Sequence, residues 1–370
     1  MENIRRVQLS EIAEFITKGT TPTTLGYEFQ EEGVNFLKIE CFDENGDFVE
    51  SKATHISNEC HERLKRSQLK SGDILFSIAG VIGRVASVTE DMLPANTNQA
   101  LAIIRISDEQ VYLPYVKLIL TSPIVIEQFE KKKQGVAQLN LSLKDISEFS
   151  IPLPSKKEQI ELAELFTKII NVISKRKEEL KALDDIIKAR FVEMFGDPVS
   201  NSRELPEATL PEMGEFGRGV SKHRPRNDPK LLGGKYPLIQ TGDVAAADLY
   251  ITSYTDTYSD IGLAQSKIWN KGTLCITIAA NIAKTAILDF NACFPDSVVG
   301  FMANEKTNNV FIHYWFSFFQ RILEIQAPES AQKNINLKIL SELKVMCPKK
   351  EEQDAFATFV AQVDKSKVVA

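Results

Sequence analysis

Residues 135–159, GVAQLNLSLKDISEFSIPLPSKKEQ, have a second version 194 positions further along the chain, ESAQKNINLKILSELKVMCPKKEEQ at residues 329–353. The two segments are identical at 11 of 25 aligned positions, far more than unrelated segments share. A weaker similarity, at an offset of 200, joins residues 69–79 to residues 269–279. A period near 200 residues is too long for a solenoid and indicates a duplicated domain.

The bulk composition is that of an ordinary globular protein, with 43% hydrophobic and 25% charged residues over 370 positions. Five cysteines without a CxxC pair indicate neither a zinc site nor a disulfide framework, so we expect reduced thiols and no metal. The N-terminus lacks a signal-peptide core, and no apolar run approaches the ~18 residues of a membrane span. These features predict a cytoplasmic protein without a membrane partner.

The formal net charge is −6, which by itself argues against binding to nucleic acid. The acidity is concentrated in the first half, however. Residues 7–154 contain 14 Lys and Arg against 21 Asp and Glu, whereas residues 207–348 contain 14 of each class. Because contacts between cationic side chains and phosphates supply much of the affinity for DNA, tight binding would need help from another subunit.

Each half has the same series of predicted elements, four short strands and then a helix. The strands are predicted at residues 34–39, 73–78, 83–88 and 101–106, and again at 236–240, 273–278, 285–289 and 297–302. The helices are predicted at residues 113–132, with a kink at Pro123, and at 310–325. Each half is therefore predicted to be a mixed α/β domain.

Residues 156–195 form the clearest helical pattern, because apolar side chains recur at alternating steps of four and three. The predicted interface positions of this helix are Leu162, Phe166, Ile169, Ile173, Leu180, Leu183 and Ile187. In the register of the repeat, the first three correspond to Phe356, Val360 and Val363 of a shorter helix at residues 349–369. We predict that the two helices pack antiparallel as a spacer between the domains. The alternative is that each helix caps its own domain.

The predicted fold class is therefore α+β, with two duplicated mixed α/β domains joined by long antiparallel, coiled-coil-like spacer helices. The first domain is predicted at residues 1–154 and the first spacer helix at 155–198. The second domain is predicted at residues 199–348, followed by a short second spacer helix at 349–370.

Motifs for catalysis are missing from the sequence. Neither a GxxxxGK[ST] loop nor an Asn/Asp-Pro-Pro-aromatic tetrapeptide occurs. The pair Pro295-Asp296 with Glu305-Lys306 lacks the residue that a nuclease core requires between the acid and the lysine. The four histidines lie beside no nucleophile pattern, so general acid–base catalysis has few candidates. The sequence predicts a protein that is not an enzyme.

The loop at residues 218–227, RGVSKHRPRN, concentrates basic side chains without an acidic one. Arginines on a loop suit bidentate contact with phosphate or guanine; the alternative is a solvated basic loop. The candidates there are Arg218, Lys222, His223, Arg224 and Arg226. The counterpart in the first half is shorter and rich in hydroxyl groups, which can contact phosphate and sugar. Its candidates are Lys18, Thr20 and Thr21.

Two further sets of cations are candidate contacts. Lys131, Lys132 and Lys133 end the first predicted helix. They suit a phosphate backbone, or alternatively complement the helix dipole in a solvated face. Arg84 and Lys284, at an offset of 200, follow matched strands, so we favour both as ligand contacts.

Several short motifs follow one another along the first half of the chain and its long helix. They are LSEI at 9–12, TKGTTP at 17–22, GDILFS at 72–77, GVIGRVA at 80–86, IPLP at 151–154, KEQ at 157–159 and MFGDP at 194–198. Their order, their spacing and the weaker second copy resemble the specificity (S) subunits of type I restriction-modification systems. The resemblance covers essentially the whole chain.

The resemblance implies two target-recognition domains, each reading one half of a bipartite double-stranded DNA target. It also implies helices that dock two methyltransferase (M) subunits and, through them, restriction (R) subunits. S-adenosylmethionine, ATP and Mg²⁺ are then expected on the partner subunits, and this chain carries neither cofactor nor catalytic site. One departure is a second spacer helix of half the length of the first. The alternatives are the recognition part of a fused methyltransferase/nuclease and a protein-only bidomain adaptor.

Overall fold

The computed structural model describes residues 4–43, 46–131, 140–279, 283–319, 322 and 336–369. The chain forms two units, unit 1 at Met1–Ser174 and unit 2 at Lys175–Ala370. The division falls inside the long helix, so this helix begins in unit 1 and ends in unit 2. The predicted boundaries instead treat that helix as a separate segment, and they stay a prediction.

Unit 1 contains nine described strands and five short helices ahead of the long one. The strands are β1 (Arg6–Gln8), β2 (Phe15–Lys18), β3 (Val34–Leu37), β4 (Thr54–Ile56), β5 (Ile74–Ser77), β6 (Val85–Ser87), β7 (Ala95–Thr97), β8 (Leu101–Arg105) and β9 (Ser150–Pro152). The helices are α1 (Leu9–Ile12), α2 (Asn58–Arg63), α3 (Leu113–Leu120), α4 (Pro123–Glu130), α5 (Leu143–Ser147) and α6 (Lys156–Phe195).

Unit 1 is built around an antiparallel sheet with the order β2-β8-β5-β6. A three-stranded sheet, β4-β3-β7, lies on one side of it, and β1 pairs with β9. Along β5, Ile74 and Phe76 join one apolar cluster with α3 and α4, whereas Leu75 joins a second cluster on the other side. Both faces of this sheet are therefore buried, as the nearly continuous apolar sequence of β5 requires.

Unit 2 repeats this series with additions. Its strands are β10 (Glu207–Ala208), β11 (Gly214–Arg218), β12 (Leu232–Leu238), β13 (Tyr250–Ile251), β14 (Asp256–Tyr258), β15 (Ile268–Trp269), β16 (Leu274–Thr277), β17 (Thr285–Leu288), β18 (Ala292–Cys293), β19 (Val298–Ala303) and β20 (Val345–Met346). Its further helices are α7 (Leu210–Met213), α8 (Thr241–Ala246), α9 (Asp260–Ala264), α10 (Asn309–Phe316), α11 (Leu337–Glu342) and α12 (Lys350–Val369).

The strand orders of unit 2 match those of unit 1. The order β11-β19-β16-β17 corresponds to β2-β8-β5-β6, and β14-β12-β18 corresponds to β4-β3-β7. The additions are β13 and β15, which extend one edge of each sheet, and β10 pairs with β20 as β1 pairs with β9. The predicted fold class, a duplicated mixed α/β domain with long antiparallel helices, is confirmed, and each predicted strand overlaps an observed one.

The helix predicted at residues 113–132 is two helices in the structure. The break at Thr121 and Ser122 has a local cause, because Pro123 occupies the first turn of α4 and its nitrogen cannot donate to a preceding carbonyl. The prediction of a kink was therefore too weak. The helix predicted at 310–325 begins at Asn309 and is described as far as Phe316.

The ends of α6 follow from its flanking sequence. Ser155 donates its backbone N–H and hydroxyl to the carboxylate of Glu158, at 2.9 and 2.6 Å, which caps the first turn. At the other end Gly196 adopts φ +81, where a side chain would collide with Ser202 and Arg203. Arg203 donates to the carbonyls of the last turn, which closes the helix at Phe195.

Buried glutamines tie each repeat-containing helix to its own unit. In unit 1, Gln159 accepts from the N–H of Tyr112 at 2.9 Å and donates to the carbonyls of Gln110 and Pro154. In unit 2, 194 residues on, Gln353 accepts from the N–H of Asn308 at 3.0 Å and donates to two carbonyls in the same manner. The repeat therefore preserves this glutamine because it satisfies buried backbone groups.

Within unit 2, α12 packs antiparallel to the second half of α6. Phe356, near the start of α12, lies 5.4 and 5.7 Å from the rings of Phe191 and Phe195. Lys367, near its end, pairs with Asp184 at 2.6 Å. The start of α12 thus contacts the end of α6, and the end of α12 contacts an earlier part of α6, so the two helices are antiparallel. Phe356, Val360, Val363 and Ile187 are all buried here, and Leu183 packs partly buried against the same cluster.

The first half of α6 has a different environment. The predicted interface residues there are between 37% and 50% exposed, and they are Leu162, Phe166, Ile169, Ile173 and, just beyond Ser174, Leu180. Among the described apolar side chains of this half, Ala163 is deeply buried, against the core of unit 1, and Gln159 is the buried polar one. The described part of the chain therefore leaves the seam of this half of the helix uncovered.

In the described ranges, the helices are too short or too polar to cross a bilayer. All five cysteines are free thiols, and only Cys347 is not fully buried.

Candidate nucleic-acid interface

The basic and hydroxyl candidates of unit 1 gather at one end of its central sheet. Lys18, the last residue of β2, lies opposite Ala102 of β8. Ser77, the last residue of β5, lies opposite Leu101, and Arg84 directly precedes β6 at this same end. Three strand spacings separate Lys18 from Arg84 across the sheet, about 14 Å. The sheet register thus collects residues that are 66 positions apart in the chain.

The corresponding end of the unit 2 sheet carries the arginine-rich loop. Arg218 ends β11 opposite Val299 of β19, and Thr277 ends β16 opposite Val298. Lys284 directly precedes β17, as Arg84 precedes β6. The candidates of both units therefore occupy equivalent ends of equivalent sheets.

In each unit, the segment that follows β2 or β11 passes closely over the turn before β8 or β19. We call this close approach, at Gly19 in unit 1 and at Gly219 in unit 2, the crossing. Gly19 donates its N–H to the carbonyl of Leu101, and Gly219 donates to that of Val298 at 2.8 Å. A Cβ on Gly19 would lie 1.9 Å from the carbonyl oxygen of Thr97, and one on Gly219 would lie 2.3 Å from that of Pro295. Only glycine permits this approach, so the crossing is fixed in place.

Unit 2 closes its crossing with arginines that converge on Asp296. Arg224 Nη2 lies 3.2 Å from the carboxylate of Asp296, and Arg226 bonds the other carboxylate oxygen. Arg218 donates through Nε to the backbone carbonyl of the same residue. Arg224 also donates through Nη1 to the carbonyls of Ser221 and His223. Asp296 is therefore the common acceptor of three candidate residues.

The backbone of the loop is held from below by Gln265. Its Oε1 accepts from the N–H groups of Lys222 and His223, at 2.6 and 3.0 Å. Ser266 adds a hydroxyl bond of 2.8 Å to the carbonyl of Val220. These bonds fix the backbone of Lys222, whose exposed side chain has no hydrogen bond or ion pair in the described ranges. The loop is ordered by the protein while its cationic ends face solvent.

Three buried polar atoms beneath this loop have no hydrogen-bond partner among the described residues. They are Ser221 Oγ, Gln265 Nε2 and Trp269 Nε1. Trp269 stacks on Phe294 with ring centroids 5.1 Å apart, and Lys267 Nζ lies 3.8 Å from the Trp269 ring centroid. An aromatic pair therefore lies beneath the loop, in addition to the polar contacts of Gln265 and Ser266.

The exposed ring of His223 is bound to the protein. Its Nε2 lies 3.0 Å from the carboxylate of Asp228. The backbone N–H of Lys230 and then the His223 ring lower the pKa of Asp228, because both donate to the carboxylate. This pair closes the C-terminal side of the loop.

Unit 1 closes its equivalent crossing without charge. The Thr21 hydroxyl donates to the side-chain carbonyl of Gln99 in the turn before β8, and the Thr20 N–H donates to the carbonyl of Thr97 at 3.1 Å. Lys18 is exposed, and its side chain makes no hydrogen bond or ion pair in the described ranges. The structure thus brings the three candidates together: Thr20 and Thr21 form a neutral crossing, and the Lys18 side chain is a free cation beside it.

Arg84 and Lys284 differ in what they contact. Arg84 Nη2 donates to the carbonyls of Phe42 and Asp43, at 2.8 and 2.9 Å, so it stabilises a neighbouring loop. Lys284 is exposed and lines a pocket of unit 2 with Lys188, His313 and Lys367. The backbone N–H of Ser77 donates to the carbonyl of Arg84, and that of Thr277 donates to the carbonyl of Lys284, so the two positions are equivalent. The side chains of Arg84 and Lys284 nevertheless make different contacts. Whether either contacts DNA stays a prediction.

Lys131 lies just past α4 and is exposed. Phe129 packs against Gly83, directly before Arg84, so the end of α4 reaches the same end of the sheet as the other candidates. Lys132 and Lys133 lie outside the described residues. Of this run of lysines, the structure places Lys131 at the basic edge of unit 1.

The acceptors of these loops, Asp296, Gln99 and Gln265, are not evident from the sequence. There Asp296 stands out only beside the incomplete nuclease motif. The available signal was the lack of any acid within residues 218–227, since several adjacent arginines in a folded protein need an anion from elsewhere. Its position could not be read from a linear pattern, because Asp296 is 70 residues from Arg226.

Among the described residues there is no cluster of three or more His, Cys, Asp and Glu that could hold a metal ion. What the two crossings offer instead is hydrogen-bond donors on loops that the protein's own hydrogen bonds hold. Guanidinium groups and lysines suit phosphates and guanine edges, and threonine hydroxyls suit phosphate and sugar. The chemistry is that of recognition.

The family model for the type I restriction modification DNA specificity domain matches residues 1–182 and 207–368. The chain belongs to this family. The predicted family and the predicted role, DNA specificity rather than catalysis, are thereby confirmed.

Curated relatives agree with this assignment over different extents. The chain is 34% identical over 133 residues to the EcoBI specificity subunit of Escherichia coli, a match covering 35% of this chain and 27% of that subunit. It is 22% identical over 385 aligned positions to the putative MjaX specificity subunit of Methanocaldococcus jannaschii, covering 96% of this chain and 86% of the relative.

Solved structures share the fold of this specificity-domain protein. A chain from a study of complex assembly and conformational transition in a type I R-M system aligns with a TM-score of 0.55 at 18% identity, covering 99% of this chain and 91% of the other. The S subunit of a type I system from M. genitalium aligns with a TM-score of 0.52 at 15% identity, with the same coverage. At these identities the likeness concerns the fold alone.

Proposed function

We propose that this chain reads a bipartite double-stranded DNA target, one short block by each unit. Each unit presents one end of its central sheet, with the crossing at Gly19 or Gly219, to a groove of the DNA. The single observation that carries the proposal is that the two crossings share a backbone and differ in side chains. Unit 1 offers threonine and amide groups, whereas unit 2 offers arginines. Two such readers select different bases.

The arginines of unit 2 are suited to guanine. Arg226 bonds Asp296 through Nη2 and Arg218 bonds it through Nε, so each guanidinium keeps further N–H donors. A bidentate pair from a guanidinium to guanine O6 and N7 is worth about 1–3 kcal/mol of discrimination. In the part of unit 1 that the structure describes, the crossing has no free arginine, so its block depends on hydroxyl, amide and Lys18 contacts.

The exposed apolar face of α6 is the surface that we assign to partner subunits. It consists of Leu162, Leu165, Phe166, Ile169, Ile170, Val172 and Ile173. A contiguous apolar stripe of this kind on a folded domain marks a protein-interaction site. Two methyltransferase subunits would bind the chain, one of them on this face, and restriction subunits would join through them.

The catalytic groups belong to those partners in this proposal. S-adenosylmethionine, ATP and Mg²⁺ would be bound by the methyltransferase and restriction subunits. This chain would supply only the choice of DNA sequence. Its negative net charge of −6 is consistent with partner subunits that share the phosphate contacts.

The test is selection from random duplex DNA by the chain co-expressed with the methyltransferase of its own system. We expect two short defined blocks separated by a fixed unspecified gap. A single contiguous block would contradict two independent readers, and no enrichment at all would favour the protein-only adaptor.

A variant assigns each block to its unit. Arg226→Ala is expected to relax the block read by unit 2 while leaving the other block unchanged, because Arg226 belongs only to the unit 2 crossing. Thr21→Val is the matched variant of unit 1, since the Thr21 hydroxyl closes the equivalent crossing. If both substitutions relaxed the same block, the assignment of one reader to each unit would be wrong.

A further inference from the structure

Asp296 and Gln99 occupy equivalent places in the two units, as their backbone contacts show. Ile78 donates to the carbonyl of Ala100, and Ile278 donates to that of Ser297. In each unit, therefore, the side chain that closes the crossing comes from the residue just before this acceptor. That residue is neutral in unit 1 and a carboxylate in unit 2.

The three arginines around Asp296 are not equivalent to one another. Arg224 makes three bonds to the protein, two to loop carbonyls and one to Asp296, so it acts as a clamp. Arg226 and Arg218 each make one such bond in the described ranges and remain exposed. Asp296 therefore orients Arg226 through its carboxylate and Arg218 through its backbone carbonyl, while Arg224 ties the same carboxylate to the loop.

The carboxylate also changes which DNA groups these arginines favour. A phosphate carries a full negative charge and is repelled by Asp296, which already neutralises part of the arginine charge. The guanine O6 and N7 atoms are neutral acceptors and suffer much less repulsion. Because specificity is a difference between two affinities, an anion that weakens phosphate contact more than base contact raises it.

We propose that Asp296 is a specificity-determining positioning residue of unit 2, holding Arg218 and Arg226 toward base edges while suppressing their sequence-independent attraction to phosphates. The proposal rests on the proposed function of this loop and adds the residue that makes its binding selective. Unit 1, with Gln99 at the same place, has no such device among its described residues.

The experiment compares Asp296→Asn with the wild-type chain in complex with its methyltransferase. Binding is measured on the selected duplex and on a duplex whose unit 2 block is scrambled, between 0.05 and 0.3 M salt. We expect Asp296→Asn to bind the scrambled duplex about fivefold to tenfold more tightly at about 0.1 M salt, because one more cation is free for phosphate. The slope of log K against log salt becomes steeper by about one, and selectivity between duplexes falls by a similar factor.

Two control variants isolate the role of position. Asp289→Asn removes the same charge from an exposed pair with Lys271, 2.6 Å away. Asp289 follows the end of β17, whereas Lys284 precedes its start, so this variant should affect both duplexes equally. Asp296→Glu keeps the charge and should restore most of the selectivity. Circular dichroism and the melting temperature of each variant show that the unit is folded.

Unchanged selectivity and salt slope in folded Asp296→Asn would overturn the proposal, as would an equal loss of affinity for both duplexes. A wild-type complex that does not distinguish the two duplexes would instead contradict the proposed function itself, and the inference with it.

Discussion

The first half of α6 and the whole of α12 are two versions of one sequence segment with opposite environments. Leu162, at 37% exposed, corresponds in the repeat to Phe356, which is fully buried. Phe166 and Ile169, each 43% exposed, correspond to Val360 and Val363, which are at most 9% exposed. The difference lies in the neighbour, because α12 lies against the second half of α6 and the first half has no such helix among the described residues.

This comparison shows that a heptad pattern specifies a face but not its occupant. The same periodicity stabilises the fold of unit 2 and leaves an exposed apolar face on unit 1. The two tryptophans, Trp269 and Trp315, both lie in unit 2, so fluorescence reports the unfolding of that unit selectively.

Phe356→Ala should have the largest effect. Its ring packs against Phe191, Phe195 and Tyr314, at centroid distances of 5.4, 5.7 and 5.5 Å. Truncating a buried aromatic ring leaves a cavity, so we expect the free energy of unfolding of unit 2 to fall by about 3–5 kcal/mol. Urea unfolding followed by tryptophan fluorescence measures this.

The matched control is Leu162→Ala at the equivalent position of α6. Its side chain is already partly in water, so we expect a loss below about 1 kcal/mol, measured by far-UV circular dichroism of the whole chain. Equal losses at the two positions would mean that the face of α6 is covered in the isolated chain and would contradict the comparison.

Phe166→Ala tests the exposed face as a surface for the methyltransferase. A central aromatic residue of an interface typically contributes about 2 kcal/mol or more, so we expect affinity for the methyltransferase to fall at least about 30-fold without loss of stability. Calorimetric titration of the two proteins measures it. Glu164→Ala, two residues away and therefore on another side of the helix, is the control and should bind as the wild type does.

Replacing the repeated glutamine should destabilise each unit separately. Gln353→Leu leaves the N–H of Asn308 and the carbonyl of Lys306 without their partner, so we expect a loss of about 2 kcal/mol in the tryptophan-detected transition of unit 2. Gln159→Leu removes the same contacts in unit 1 and should leave that transition in place. A shift of the unit 2 transition by Gln159→Leu would show that the units do not unfold independently.

Acid should weaken unit 2 through a histidine that unit 1 lacks at the equivalent place, since α3 contains none. Burial, aided by Lys367, lowers the pKa of His313 to about 4. The unfolded chain then binds the proton first, so this contribution to stability is complete above pH ~6.5 and is lost as the pH falls toward 4. We expect His313→Gln to flatten this part of the profile of unfolding free energy against pH. An unchanged profile would assign the acid sensitivity to other groups.

Periodicity and duplication predicted most of the fold. The bounds of α6 follow from Ser155, Glu158 and Gly196, and these local capping signals are readable in the sequence. The sequence predicts only a kink where the structure has a break between α3 and α4. A long apolar pattern favours one continuous helix, whereas Pro123 removes a backbone hydrogen bond from one turn, and the pattern alone does not show which effect is larger. The exposed seam of α6 could not be predicted, since no pattern within a helix states which face finds a neighbour.

The candidate site divides in the same way. The loop at 218–227 was predicted from composition, and the equivalence of Arg84 and Lys284 from the repeat offset. Their contacts could not be predicted, because Arg84 bonds the carbonyls of Phe42 and Asp43, about forty residues away. Asp296 and Gln99 became evident only when the sheet register placed each turn over its crossing.

The most direct test of two readers on one helix is to repeat the random-duplex selection after inserting one heptad into α6 between Ile173 and Leu180. Seven residues keep the apolar face in phase. The account predicts the same two blocks with a changed gap between them. A changed block, or an unchanged gap, would contradict the claim that each unit reads on its own and that the helix sets only their spacing.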